Sequence, residues 1–195
     1  NMFSWFSFLT YAIVTAVTPG PNNIMSMSNA SRKGFHRALP FNLGIWAGFS
    51  IVMILCTIFC SMLSALIPKI KMPMLVIGAV YMLYLAWETL RSSDSIKENH
   101  SHDGFLSGLF LQFINPKIYI YCIMSMEAYI LPFYSGQFHP LFGFAMLLAF
   151  IGFVFTLCWS AFGSAFKWLF SKHAKLVNTI MAVLLVYCAA SLFFT

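Results

Sequence analysis

Six stretches of this chain, each about 20 residues or longer, run almost without charge: Phe3 to Ala30, Leu39 to Ile67, Met72 to Leu90, Gly104 to Ile130, Pro140 to Phe166 and Ala174 to Phe194. A helix of that length and polarity matches the hydrocarbon core of a bilayer. In lipid every backbone polar group needs an internal partner, so only helices and closed barrels span, and stretches this long select helices. Of 195 residues, 61% are hydrophobic and 8% charged, against about 25% charged in a typical soluble domain. The expectation is an all-α integral membrane protein with six transmembrane helices, forming a single domain over residues 1–195.

A secretory signal opens with a positively charged region, and no Lys or Arg precedes Arg32. The first stretch is therefore expected to be a retained helix. Cytoplasmic loops carry the Lys/Arg excess. The loops after the first, third and fifth stretches hold Arg32, Lys33, Arg37, Arg91, Lys97, Lys167, Lys172 and Lys175, and the opposite side holds Lys69 and Lys71. That eight-to-two division places both termini outside, in the periplasm of a Gram-negative cell. The formal charge of +6 is thus chiefly a topology signal that also attracts anionic headgroups of the lipid bilayer. No soluble basic domain is present to bind nucleic acid.

Cys56, Cys60, Cys122, Cys158 and Cys188 all fall inside the apolar stretches, where they read as small packing residues and not as a disulfide framework of a secreted domain. Two thiols four apart, Cys56 and Cys60, make half of a structural zinc site. His100 and His102 lie in the polar connector RSSDSIKENHSHDG. No metal site, cofactor or catalytic residue is expected, because no histidine lies deep in a stretch to serve a membrane-embedded enzyme.

That connector, about residues 91–103, divides the chain into halves of about 1–92 and 104–195. Val80, Tyr84 and Ala86 match Val183, Tyr187 and Ala189 at one constant offset. The first stretch of each half carries a proline break, TPGPN at Thr18 to Asn22 and FINPK at Phe113 to Lys117. Three spans per half force the second half to enter the membrane from the other side, giving two inverted three-helix repeats, a common plan of secondary transporters.

An interior proline lacks an N–H and clashes with the preceding turn, disrupting a helix at a cost of about 3 kcal/mol or more. Freed carbonyls cost several kcal/mol each in hydrocarbon unless they are buried in protein or line a cavity. Pro19-Gly20-Pro21 leaves such carbonyls before it and a fresh helix N-terminus after it, where N–H groups and a partial positive charge suit a carboxylate. Two such breaks facing each other near the midplane would form a pocket for a small zwitterion. Asn22 and Asn23 supply donors and acceptors beside the first break. Lys117, which follows Asn115-Pro116, is the residue whose burial costs most, about 2.5–3.5 kcal/mol at a helix centre, and is expected to meet a carboxylate or to titrate. Glu127, about 15 Å along the same helix, is expected near the outer interface, and Glu88 with Arg91 as an interfacial pair.

Gly44 and Gly48, and again Gly104 and Gly108, form G-x-x-x-G spacings that let helices approach within the bundle or across a homodimer. Trp46 and Trp159 lie deep enough to line a cavity.

Thr18-Pro19-Gly20-Pro21-Asn22 after an apolar N-terminal stretch, Gly34 beyond it, and Asn115-Pro116-Lys117 in the fourth stretch resemble the lysine-exporter and homoserine/threonine-resistance family of bacterial amino-acid exporters, over essentially the whole chain. The resemblance implies an inner-membrane protein that moves a small amino-acid substrate out of the cytoplasm, driven by protons. TPGPNNI, CWSAFG and LLVYCA look most similar to family members that export cysteine and O-acetylserine; homoserine, threonine or lysine are the alternative cargoes, and a passive channel or a non-transporting scaffold the alternative classes. The expected substrate-binding set is Thr18, Pro19, Gly20, Pro21, Asn22, Asn23, Asn115, Pro116 and Lys117. No Asp inside a stretch offers itself as a proton relay.

Overall fold

The computed structural model describes residues 2–91, 103–191 and 193. Their order is α1 (Trp5–Val17), α2 (Pro21–Lys33), α3 (Phe35–Ile58), α4 (Cys60–Arg91), α5 (Phe105–Ile114), α6 (Pro116–Ser125), a π-helical turn (Met126–Ile130), α7 (Leu131–Tyr134), α8 (Phe138–Ala165), α9 (Lys167–Lys172) and α10 (Ala174–Ser191). Among the described residues there is no strand. The connector with His100 and His102 lies outside them, as does the side chain of Glu88 and hence its pairing with Arg91.

Local chemistry sets the boundaries that matter. The Ser4 side chain accepts from the Ser7 N–H and starts α1. Pro21 sits in the first turn of α2, the position where a missing N–H is harmless. Gly34, at φ 86°, closes α2 by donating its N–H to the Ala30 carbonyl at 2.8 Å, a left-handed backbone that favours glycine; α3 begins at the next residue. Asn115 caps α6 with its side chain on the Lys117 N–H, and Pro116 takes the first turn.

The breaks shorten the helices. α3 and α8 are long and apolar enough to cross a membrane, and α5 joined to Pro116–Tyr134 makes a third candidate bent by 63° at Asn115. Trp5–Val17, Leu75–Trp87 and Ala174–Ala190 are shorter apolar helices. One boundary moves: the reversal expected between Ile67 and Met72 is absent, α4 runs on through that region, and Phe59 alone separates α3 from α4. Lys69 is exposed on α4, so a polar residue there reaches its surroundings without a turn.

Two apolar cores hold the bundle. One gathers Phe8, Phe41, Ile45, Phe49, Met53, Tyr121, Met126 and Leu148 from α1, α3, α6, the π turn and α8. The other joins α4 to α10 through Ala79, Met82, Leu85, Met181, Ala182 and Leu185, with Ile24 and Met27 of α2 against them. A Cβ at Gly44 would run into the Phe105 carbonyl and one at Gly108 into the Phe41 carbonyl, while Gly48 faces Leu109. Both G-x-x-x-G spacings thus meet in the α3–α5 contact, with Gly104 alone facing open space.

The residues matched between α4 and α10 share environments. Val80 and Val183 are 60% and 61% exposed, and Ala86 and Ala189 are both 3% exposed.

Candidate functional site

The two proline breaks come together. Every carbonyl from Thr15 to Pro19, freed where α1 ends, has a side-chain donor. Thr18 Oγ1 donates to Thr15 O at 2.7 Å. Asn23 Nδ2 donates to both Ala16 O and Thr18 O at 2.8 Å. Trp159 Nε1 of α8 donates to Val17 O at 3.1 Å, and Cys188 Sγ of α10 approaches Pro19 O at 3.7 Å. Lys117 Nζ completes the set by donating to Thr18 O at 2.9 Å. The lysine of the second break therefore closes the first, instead of standing free.

Gly20 makes room for it. Its backbone is extended, so conformation asks for no glycine, but a Cβ there would lie 3.0 Å from Lys117 Cδ and 3.1 Å from Nζ. At the second break Tyr119 donates its hydroxyl to Phe113 O at 2.9 Å. Asn115 Oδ1 accepts from the Lys117 N–H at 3.1 Å.

A reciprocal amide pair links the helices beside the breaks. Asn22 Nδ2 donates to Gln112 Oε1 and Gln112 Nε2 to Asn22 Oδ1, both at 2.8 Å, and Gln112 Nε2 also reaches Gly108 O at 3.0 Å. Between the breaks lies a cavity of about 30 Å³, lined on one side by Gly20, Asn22, Asn23, Asn115 and Lys117 and on the other by Phe49, Tyr121 and Gly152. Asn115 is 2% exposed, lines this cavity, and its Nδ2 finds no acceptor in the protein. A buried donor without a partner costs about 1–3 kcal/mol.

Of the nine residues read from the sequence, Gly20, Asn22, Asn23, Asn115 and Lys117 line the cavity. Thr18 contributes its carbonyl, while Pro19, Pro21 and Pro116 shape the breaks. Sequence reading missed Gln112, although a lone amide in FLSGLFLQFI was a visible signal. It also missed Asn42, whose Nδ2 lies 3.1–3.3 Å from Ser26, Thr156 and Ser160 hydroxyls. These are fully or nearly fully buried, and Thr156 reaches the cavity wall. α2 is thus a polar helix enclosed in an apolar bundle, with Asn22, Asn23, Ser26, Ser28, Asn29 and Ser31 all buried. Glu127 is exposed in the π turn. Among the described residues no cluster of His, Cys, Asp and Glu could hold a metal ion.

An all-helical bundle with two or three helices long and apolar enough to cross a membrane, in which two proline breaks meet at a small cavity lined with amides and a lysine, is the form of a membrane transporter. The chain belongs to the LysE type translocator family, whose sequence profile matches residues 13–195. It is 36% identical over 190 residues to the cysteine/O-acetylserine efflux protein of Salmonella typhimurium, covering 96% of each chain. It is 34% identical over 191 residues to that of Escherichia coli O157:H7, again covering 96% of each. With that of Klebsiella pneumoniae the identity is 37% over 184 residues, covering 94% of this chain and 93% of the other. No solved structure matches. The protein is a multi-pass membrane transporter and not an enzyme.

Proposed function

We propose that the protein is a secondary-active exporter in the bacterial inner membrane, carrying small amino acids out of the cytoplasm, cysteine and O-acetylserine foremost. The observation that carries this is the convergence of the breaks at Thr18–Pro21 and Asn115–Lys117 on one cavity with an unsatisfied amide donor. The names of the relatives supply the cargo. Asn115 Nδ2 and the α2 N-terminus receive the carboxylate, and Lys117 exchanges Thr18 O for it. Thr18, Pro19, Gly20, Pro21, Asn22, Asn23, Asn115, Pro116 and Lys117 act together as the binding set.

The mechanism is alternating access between repeats of about 1–92 and 104–195, six spans in all. The paired environments of Val80/Val183 and Ala86/Ala189 support it. So do two polar links from α2 to the α5 segment: the Asn22–Gln112 pair at one end and, at the other, an ion pair from Lys33 to Asp103, two residues before α5. α2 packs on α8 and α3, and α5 on α3, so side chains more than backbone packing hold the α2–α5 seam. With both termini periplasmic, that seam is the cytoplasmic gate. Protons are the coupling ion.

The test is efflux from proteoliposomes loaded with O-acetylserine under an imposed pH gradient. Wild type is expected to saturate and to respond to the gradient. Pro21→Ala and Lys117→Met are expected to lose at least about tenfold in rate, since about 1.4 kcal/mol at the site suffices for that factor, while still inserting and folding. Wild-type rates in both variants overturn the site, and non-saturating flux indifferent to the gradient overturns the carrier in favour of a channel.

A further inference from the structure

The cavity has two unlike walls, and the helix breaks account for the polar one alone. The other is made by Phe49 of α3, Ile118 and Tyr121 of α6, and Gly152 of α8. Phe49 is 4% exposed and lies directly on Gly152. A Cβ at position 152 would stand 2.8 Å from Phe49 Cε2 and 3.0 Å from Cζ, so the ring occupies the room that residue 152 leaves by having no side chain. On its other side the ring meets Tyr121 edge-on, centroids 5.8 Å apart at 80°. Tyr121 is fixed by its hydroxyl on Leu148 O at 3.3 Å and by stacking on Tyr11. Phe49 has no polar atom and is held by shape alone.

The cavity is small, about 30 Å³, so the size of side chain it takes depends on how far its walls yield. The polar wall is tied down by the hydrogen bonds of both breaks, and Tyr121 by its hydroxyl. The Phe49 ring, which no hydrogen bond holds, is the wall that gives.

We propose that Phe49, seated on Gly152, is a specificity-determining residue that measures the side chain of the cargo. The inference rests on the reading of the cavity as the cargo site. With the amino and carboxylate groups at the breaks, the cargo side chain points to the ring. Side chains of the size of a thiol or a short ester displace it within the space available, and branched or aromatic ones do not. One methylene in an apolar pocket changes discrimination about 10- to 200-fold, so a ring removed or pushed inward is readily seen.

The experiment measures uptake of labelled cysteine and labelled O-acetylserine into proteoliposomes, each competed by unlabelled cysteine, O-acetylserine, leucine and phenylalanine. It compares wild type with Phe49→Ala, Phe49→Leu and Gly152→Ala. Removing the ring is expected to strengthen competition by leucine and phenylalanine about tenfold or more. Gly152→Ala, whose methyl drives the ring into the cavity, is expected to lower the O-acetylserine to cysteine ratio by a similar factor. Phe49→Leu falls between, and carries the test alone if the alanine variant does not elute as a folded species. Competition ratios unchanged from wild type in the folded variants overturn the size filter and leave the carrier reading standing. Wild type that moves neither cargo overturns the carrier reading and the filter with it.

Discussion

Asn115 does two jobs with one side chain. Its Oδ1 caps α6 on the Lys117 N–H, and its Nδ2 faces the cavity with no acceptor. Substitutions separate the two. Asn115→Ala removes both, costing about 1 kcal/mol for the lost cap and the donor besides. Asn115→Asp keeps an oxygen at the cap, favourably placed at a helix N-terminus, but replaces the donor with negative charge. The aspartate variant is expected to melt no lower than wild type in detergent while the cargo KM rises about tenfold or more, the scale of a lost hydrogen bond to a charged group. An unchanged KM would remove Asn115 from the binding set. The prolines, glycine and asparagines of this site were legible because a helix break is local chemistry: Pro19, Pro21 and Pro116 interrupt the backbone wherever they sit. Phe49 and Gly152 were not, because a phenylalanine in an apolar run looks the same whether it meets lipid or a cavity. Facing is settled by packing between distant helices.

α3 and α5 meet backbone to backbone, and small residues allow it. Gly44 and Gly108 lie against the carbonyls of Phe105 and Phe41, and any side chain at either position displaces backbone. Gly104 has the same spacing in sequence and nothing within 4 Å of a Cβ, which makes it an internal control. Gly44→Leu is expected to lower the detergent melting temperature by several degrees, as about 1–3 kcal/mol of overpacking would, and Gly104→Leu to leave it nearly unchanged. Equal melting temperatures for the two would refute the close α3–α5 contact. Gly44, Gly48 and Gly108 are engaged inside the chain and so are not free for a homodimer. Helix existence was readable from hydropathy, and helix ends less so. The expected turn between Ile67 and Met72 held Lys69 and Lys71, yet α4 continues through them and the helix boundary falls at Phe59, an apolar residue that does not mark it. α2 was hidden differently. Read as the tail of an apolar span, it is a short polar helix whose serines and asparagines are buried against α3 and α8.

At the scale of the molecule, export requires a seam that opens, and the energetics of the α2–α5 links fit one. Interhelical hydrogen bonds within a bilayer average about 0.6 kcal/mol, and a partly exposed ion pair contributes about 0–1 kcal/mol. Lys33 is 32% exposed and Asp103 9%, so the outer link is the weaker and more screened of the two. Both are small enough to break once per transport cycle. A covalent link in place of the ion pair should therefore stop the cycle without unfolding the protein. In a background with the exposed Cys158 replaced by serine, Lys33→Cys with Asp103→Cys is expected to export O-acetylserine when reduced. Joined by a reducible bis-maleimide linker, which spans the gap the lysine stem filled, it should lose nearly all flux and regain it when the linker is reduced. Each single cysteine variant should be indifferent to the linker. Because the thiols sit where the eight-to-two basic division places the cytoplasm, a membrane-impermeant maleimide should label them in inverted vesicles and not in intact cells. Full export by the cross-linked double variant would mean that α2 and α5 need not part, and labelling from outside the cell would reverse the orientation on which the gate depends.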